Sequence, residues 1–177
     1  MKKLYLCLLL ALFNFISYSQ IVPIIAPGFS GNVVVGQSNY HVSESIYTDE
    51  EIGSGNYIGA ANAIDNIYFI ANTIGINTTI NNYAVYMKNV PVGTTTFTDG
   101  AYSTTGYTLV FNGTIVAPTE GIVQVPLTTP FARTAGTNLQ VLLIRSDNVL
   151  HTGFNFDCAA GNTVGGVLNT AAFSSRR

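Results

Sequence analysis

The sequence has no tryptophan, and only 9% of its 177 residues are charged, against roughly 25% in an ordinary soluble domain. Charge this scarce excludes several classes of protein. Seven Lys and Arg provide no basic surface able to neutralise a phosphate backbone, so nucleic acid is not expected as a partner. No acidic block forms a tail, and with 47% hydrophobic residues the chain does not have a disordered composition. Cysteine is limited to Cys7 and Cys158. Helical periodicity is missing: from Ile21 onward, no stretch of a dozen residues places apolar side chains at i, i+3, i+4 and i+7. The one long apolar run, residues 4–16, is thirteen residues long, short of the roughly 20 that span a bilayer as a helix, so no permanent membrane anchor is expected.

That run follows Lys2 and Lys3 and leads into Ser17-Tyr18-Ser19, which places small residues three and one positions before Gln20. A basic start, a short apolar core and small residues at the cleavage point form the pattern of a secretory signal peptide. Residues 1–19 are read as the leader and residues 20–177 as a single domain, placed outside the cell or on its outer surface. Cys7 lies inside the apolar run, so the sequence offers no lipid-attachment cysteine at the cleavage point. The exported portion keeps five basic and nine acidic side chains, a formal charge of -4, and Cys158 as a lone thiol. With no disulfide available, the fold must rest on its apolar core.

The body of the chain alternates like strands. Tyr83, Val85 and Met87 interleave with Ala84, Tyr86 and Lys88, and Tyr107, Leu109 and Phe111 repeat the pattern. Val123, Val125 and Leu127 point one way and Gln124 and Pro126 the other; Pro126 lacks an N–H and marks an edge or bulged strand. Residues 67–71 and 139–144 are apolar on both faces and are expected as central strands. Turn chemistry recurs at Pro27-Gly28, Gly53-Ser54-Gly55, Asn81-Asn82, Asp99-Gly100, Asn112-Gly113, Asp147-Asn148 and Gly165-Gly166. Asn112-Gly113 tolerates the two positive φ angles of a type I′ turn, which predicts a hairpin joining residues 107–111 to 114–116. Many short strands with this punctuation predict an all-β, antiparallel β-sandwich or barrel.

The order of segments carries a resemblance. Ser45-Ile46-Tyr47-Thr48, Ile67-Tyr68-Phe69, Val85-Tyr86-Met87, Leu109-Val110-Phe111-Asn112-Gly113-Thr114-Ile115, Val125-Pro126-Leu127-Thr128-Thr129-Pro130-Phe131 and Asn138-Leu139-Gln140-Val141 succeed one another. Over roughly residues 36–160 this resembles a β-sandwich module of secreted and surface proteins of Bacteroidetes, often found beside proteases and type IX secretion sorting domains. The resemblance implies a jelly-roll-like accessory domain that is adhesive or glycan-binding, with neighbouring domains of a larger secreted protein as partners. The chain departs from the module in lacking the tryptophans that commonly precede these strands. It also ends at Arg176-Arg177, where the module usually runs on into a last strand.

Searches for reactive groups return little. His41 and Glu44 form an H-x-x-E spacing on an extended segment, whereas a zinc protease needs two His on one helical turn. There is no G-x-S-x-G elbow, and Cys158 with His151 is a weak nucleophile–base pairing. Asp65, Asp99, Glu120, Asp147 and Asp157 are single carboxylates beside turn residues, which makes a small hydrolase using loop carboxylates the least favoured of three readings. No cofactor is expected. A structural Ca²⁺ is the one ion the carboxylates suit, with Asp49, Glu50 and Glu51 as the densest cluster and Asp147 and Asp157 adding ligands from other loops. For a glycan or surface-protein ligand, the aromatics nearest turn chemistry are Tyr40, Tyr57, Phe97 and Tyr102, and Asn56 and Asn82 are amides able to bond hydroxyls. The favoured reading is a secreted, non-enzymatic binding, adhesion or spacer module, and the second is a noncatalytic glycan-binding appendage of a hydrolase.

Overall fold

The computed structural model describes residues 29–31, 39–50, 52, 63–73, 78–95, 97, 102–117, 121–153, 155–158 and 166–167. The leader, together with Glu51, Asn56, Tyr57, Asp99 and Glu120, lies outside the described residues. The described residues form nine strands: β1 (Phe29–Gly31), β2 (His41–Tyr47), β3 (Ala63–Thr73), β4 (Thr79–Pro91), β5 (Thr108–Val116), β6 (Gly121–Ala132), β7 (Thr137–Arg145), β8 (Asn155–Cys158) and β9 (Gly166–Val167). They form two antiparallel sheets, one in the order β1-β8-β3-β6 and the other β5-β4-β7-β2-β9. From β1 to β8 the chain changes sheet at every connection except β4 to β5, giving the strand order of a jelly roll, to which β9 adds a fifth strand on one layer. The protein is an all-β antiparallel sandwich.

The inward rows follow from the period-two alternation. Tyr83, Val85 and Met87 of β4, Leu139, Val141 and Leu143 of β7, Val123 and Val125 of β6, and Phe111 and Ile115 of β5 meet in one core. Each such side chain contributes about 1.5–3 kcal/mol on leaving water. β7 is the central strand of its sheet and is buried on both faces from Asn138 to Leu143, as its apolar composition requires. β3 is interior to the other sheet, but the expectation of two covered faces fails there: Ile70 is 39% exposed and pairs with Ile122, which is 67% exposed. Pro126 stands on β6, the edge strand of its sheet, beside a register shift in which Asp65 alone faces residues 127–130. A residue without a donor is tolerated at such an edge and beside such an irregularity.

Two local expectations are corrected. Asn112-Gly113 is not a hairpin turn; both residues sit inside β5, paired with Ala84 and Tyr83 of β4. Gly113 is accounted for by packing, since a Cβ there would stand 3.3 Å from the tip of the Phe111 ring. The positive φ belongs to the facing strand instead. Asn82 (φ 48) bulges from β4, so that Asn81 and Asn82 together oppose the single residue Thr114, whose hydroxyl lies 2.8 Å from Asn81 Oδ1. A second bulge, in β5, inserts Val110 between Leu109 and Phe111. It turns Val110 inward and leaves Leu109 42% exposed, against the simple alternation. The Val110 carbonyl accepts the Thr128 hydroxyl of β6 at 3.0 Å, which ties the two sheets together at the irregularity.

Candidate functional site

In a chain with so few charges, the placement of its buried ones is informative. Arg145 closes β7 on the inner face of the sheet, between His41 of β2 and Tyr83 of β4, its direct partners across the two ladders. All three are buried. A guanidinium withdrawn from water needs an anion and full hydrogen bonding. The next turn supplies the anion and one carbonyl, and the segment before β2 a second carbonyl: Asp147 Oδ1 pairs with Arg145 Nη1, and Nη1 also donates to the Val149 carbonyl at 2.9 Å and the Asn39 carbonyl at 3.3 Å. Asp147 Oδ1 accepts the Val149 amide at 3.2 Å, and Asp147 Oδ2 lies 2.7 Å from His151 Nε2. An ionised carboxylate only accepts, so His151 is the donor. Burial works to raise the Asp147 pKa, but the His151 and Val149 hydrogen bonds and the charge of Arg145 outweigh it and hold the carboxyl below its ordinary value. Burial raises the Tyr83 phenol far above its usual range, with Arg145 opposing.

This network fixes the chain from Ser146 to His151 across the end of the sandwich. Ser146 donates its amide to the Asn82 carbonyl at 3.2 Å, which joins the β4 bulge to the same end. Asn148 adopts a positive φ of 57° and accepts from Asn39 Nδ2 at 3.3 Å. Among the described residues, those that reach solvent beside this network are uncharged: Asn39, Asn82, Ser146 and Asn148, with Tyr40 and Leu150 each 48% exposed.

The opposite end is built on a second buried arginine. Arg133 pairs with Asp49 and donates to the Thr137 carbonyl at 3.1 Å; Asp49 also accepts the Gly136 amide at 3.2 Å, from a turn where Gly136 has φ 72. Asn138 accepts the Asp49 amide at 3.0 Å and donates to the Val92 and Thr94 carbonyls, which draws the start of the β4–β5 connection onto the sheet. Tyr107, at the end of that connection, donates to Glu44, which also accepts Gln140 Nε2 at 2.8 Å, while Lys88 Nζ stands 4.3 Å from the centre of the Tyr107 ring. Burial first, then the hydrogen bond to Glu44 and its charge, pushes the Tyr107 phenol well up.

The structure separates several residues that the sequence grouped. Asp49 and Asp147 lie beyond opposite ends of the β2–β7 pair, about 20 Å apart for a strand of this length, and each is turned to an arginine. The pooling of Asp49 and Glu50 with Asp147 in one calcium site is therefore not formed, and among the described residues no three His, Cys, Asp or Glu converge on a common point. Glu51 and the side chain of Asp157 lie outside the described residues. His41 and Glu44, three apart on a strand, face opposite sides of the sheet, His41 inward and Glu44 outward. Of the ligand-binding candidates, Tyr40 and Asn82 come together at the Arg145 end, whereas Phe97 and Tyr102 belong to the β4–β5 connection. Asn56 and Tyr57 are outside the described residues. Asn39, Asn148 and Leu150 escaped the sequence reading, and the Asp147-Asn148 turn signal was the clue to them.

Comparison with known proteins finds no matching family model, no matching curated protein and no matching solved structure. Among the described residues, no helix is long and apolar enough to cross a membrane.

Proposed function

We propose that the protein is an exported, non-enzymatic binding or adhesion module of the kind carried by Bacteroidetes surface proteins, and that the Arg145 end is its binding end. One observation carries this reading: among the described residues at that end, Arg145, Asp147 and His151 are buried and engaged in holding a loop, and the exposed side chains are uncharged and rich in amides. A catalytic end would present a titrating group to its substrate. Here His151 is fully buried, and its Nε2 is directed at Asp147. Asp65, on β3 of the other sheet, accepts Asn66 Nδ2 at 2.9 Å. The leader-like residues 1–19 support export, and the uncharged polar surface suits contact with another surface.

The test pairs retention with turnover. The folded mature chain is incubated with intact bacterial cells and with insoluble polysaccharides, and both pelleted protein and released sugar are measured. Retention without soluble product is the expected result. Product release at a rate proportional to protein would replace the proposal with the hydrolase reading, and loss of retention on every surface would leave a spacer.

A further inference from the structure

We infer that the Arg145 end is a carbohydrate site, taking a neutral, hydroxyl-rich sugar chain across Tyr40 and Leu150 with the amides of Asn39, Asn82 and Asn148 as its hydrogen-bonding groups. This rests on the binding-module reading and names the ligand of its site. Three features of the geometry lead to it.

The first is chemical class. The six exposed residues offer amide donors and acceptors, two hydroxyls (Ser146 and Tyr40), one aromatic ring and one branched aliphatic, with no exposed charge among them. Sugar rings present hydroxyls on their rims and C–H groups on their faces, so amides meet the rim and a half-exposed tyrosine meets the face. Among the described residues, an anionic or cationic ligand would find no exposed counter-charge beside these six. Arg145 and Asp147 compensate each other below the surface.

The second is rigidity. Asn39, Asn82 and Asn148 come from three separate segments, yet they are joined through hydrogen bonds of 3.3 Å or less: Asn39 to Asn148 directly, Asn39 and Val149 to the same Arg145 nitrogen, and Asn82 to Ser146. Groups held this way lose little conformational entropy on binding a ligand, and weak individual contacts then add up.

The third is backbone conformation. Asn82 and Asn148 are the only described non-glycine residues with positive φ, and both fall at this one end. Asparagine tolerates that region better than most residues while still carrying an amide, which glycine does not. A position needing φ alone is served equally well by glycine.

The last point supplies the discriminating variants. Asn148→Gly keeps the backbone conformation and removes the amide; Tyr40→Ala removes the ring from a half-exposed position. The mature chain and both variants are applied to arrays of neutral hexose and N-acetylhexosamine oligomers and, in parallel, to surfaces coated with unglycosylated protein, with melting temperatures recorded for all three. Sugar retention weakened about tenfold by Tyr40→Ala and several-fold by Asn148→Gly, with melting unchanged, is the expected result. Sugar retention indifferent to both variants overturns the placement of the site. Retention on protein surfaces but on no sugar overturns the ligand class while the binding-module reading stands, and retention on neither overturns both.

Discussion

Where β2 begins and β7 finishes, Arg145, Asp147 and His151 are withdrawn from water together, with side-chain exposures of 1% or less. At the other end Arg133 is equally buried, but its partner Asp49 keeps 19% of its side chain in solvent. Both arginines hold a loop, and both donate to backbone carbonyls as well as to a carboxylate. The difference lies in what the loop carries. The Arg133 end gathers a turn and the start of a connection onto the sheet, and its amides, Asn89 and Asn138, bond inward to Ala132, Val92 and Thr94. The Arg145 end keeps its amides outward. Deep burial of a paired charge is weak evidence for net stability, because desolvation offsets much of the attraction, but breaking such a pair is severe. An arrangement of that sort fixes geometry more than it adds stability.

The two ends differ most at Asp147. Asp147→Ala leaves Arg145 buried without its anion, and urea denaturation should show a loss of about 3–5 kcal/mol. Acid should act on the same group. Its folded pKa lies below the unfolded one, so its contribution to stability is complete above about pH 4 and is lost as the pH falls through the lowered value. Melting followed from pH 6 downward should therefore decline on the acid side, and Asp147→Asn should flatten that part of the decline. Asp49→Ala, at the wetter end, should cost less, about 1–3 kcal/mol, because water can reach part of the vacated position. The smallest effect is expected for Tyr107→Phe, which removes only the hydrogen bond to Glu44: about 0.5–1.5 kcal/mol by the same denaturation assay.

How far the sequence foretold this can be judged from particular residues. The sandwich was legible, because alternation at residues 83–88 and 123–127 is a direct imprint of a pleated strand with one wet face. Pro126 gave away its edge through a missing donor. Asn112-Gly113 misled because a turn preference is local, whereas the pairing of β5 with β4 is a tertiary fact that overrides it. Leu109 misled for a related reason: one inserted residue inverts every side chain beyond it, and a bulge has no fixed sequence signature. Of the candidate site, Tyr40 and Asn82 were visible as an aromatic and an amide near turns. That they share an end with Asn39, Asn148 and Leu150 depends on strand order, which brings segments over a hundred positions apart into contact. The pairing of Arg145 with Asp147 two residues on was equally hidden, since adjacent charges in a turn read as solvated until the sheet is seen to bury them.

Buried charge holds the loop at residues 146–151 rigid. Amide hydrogen exchange on the folded mature chain, with Asp147→Asn beside it, tests this most directly. The Val149 amide should exchange nearly as slowly in the parent as those of β7, and much faster in the variant while β7 itself stays protected. Fast exchange at Val149 in the parent, or exchange unchanged by the substitution, would contradict the account.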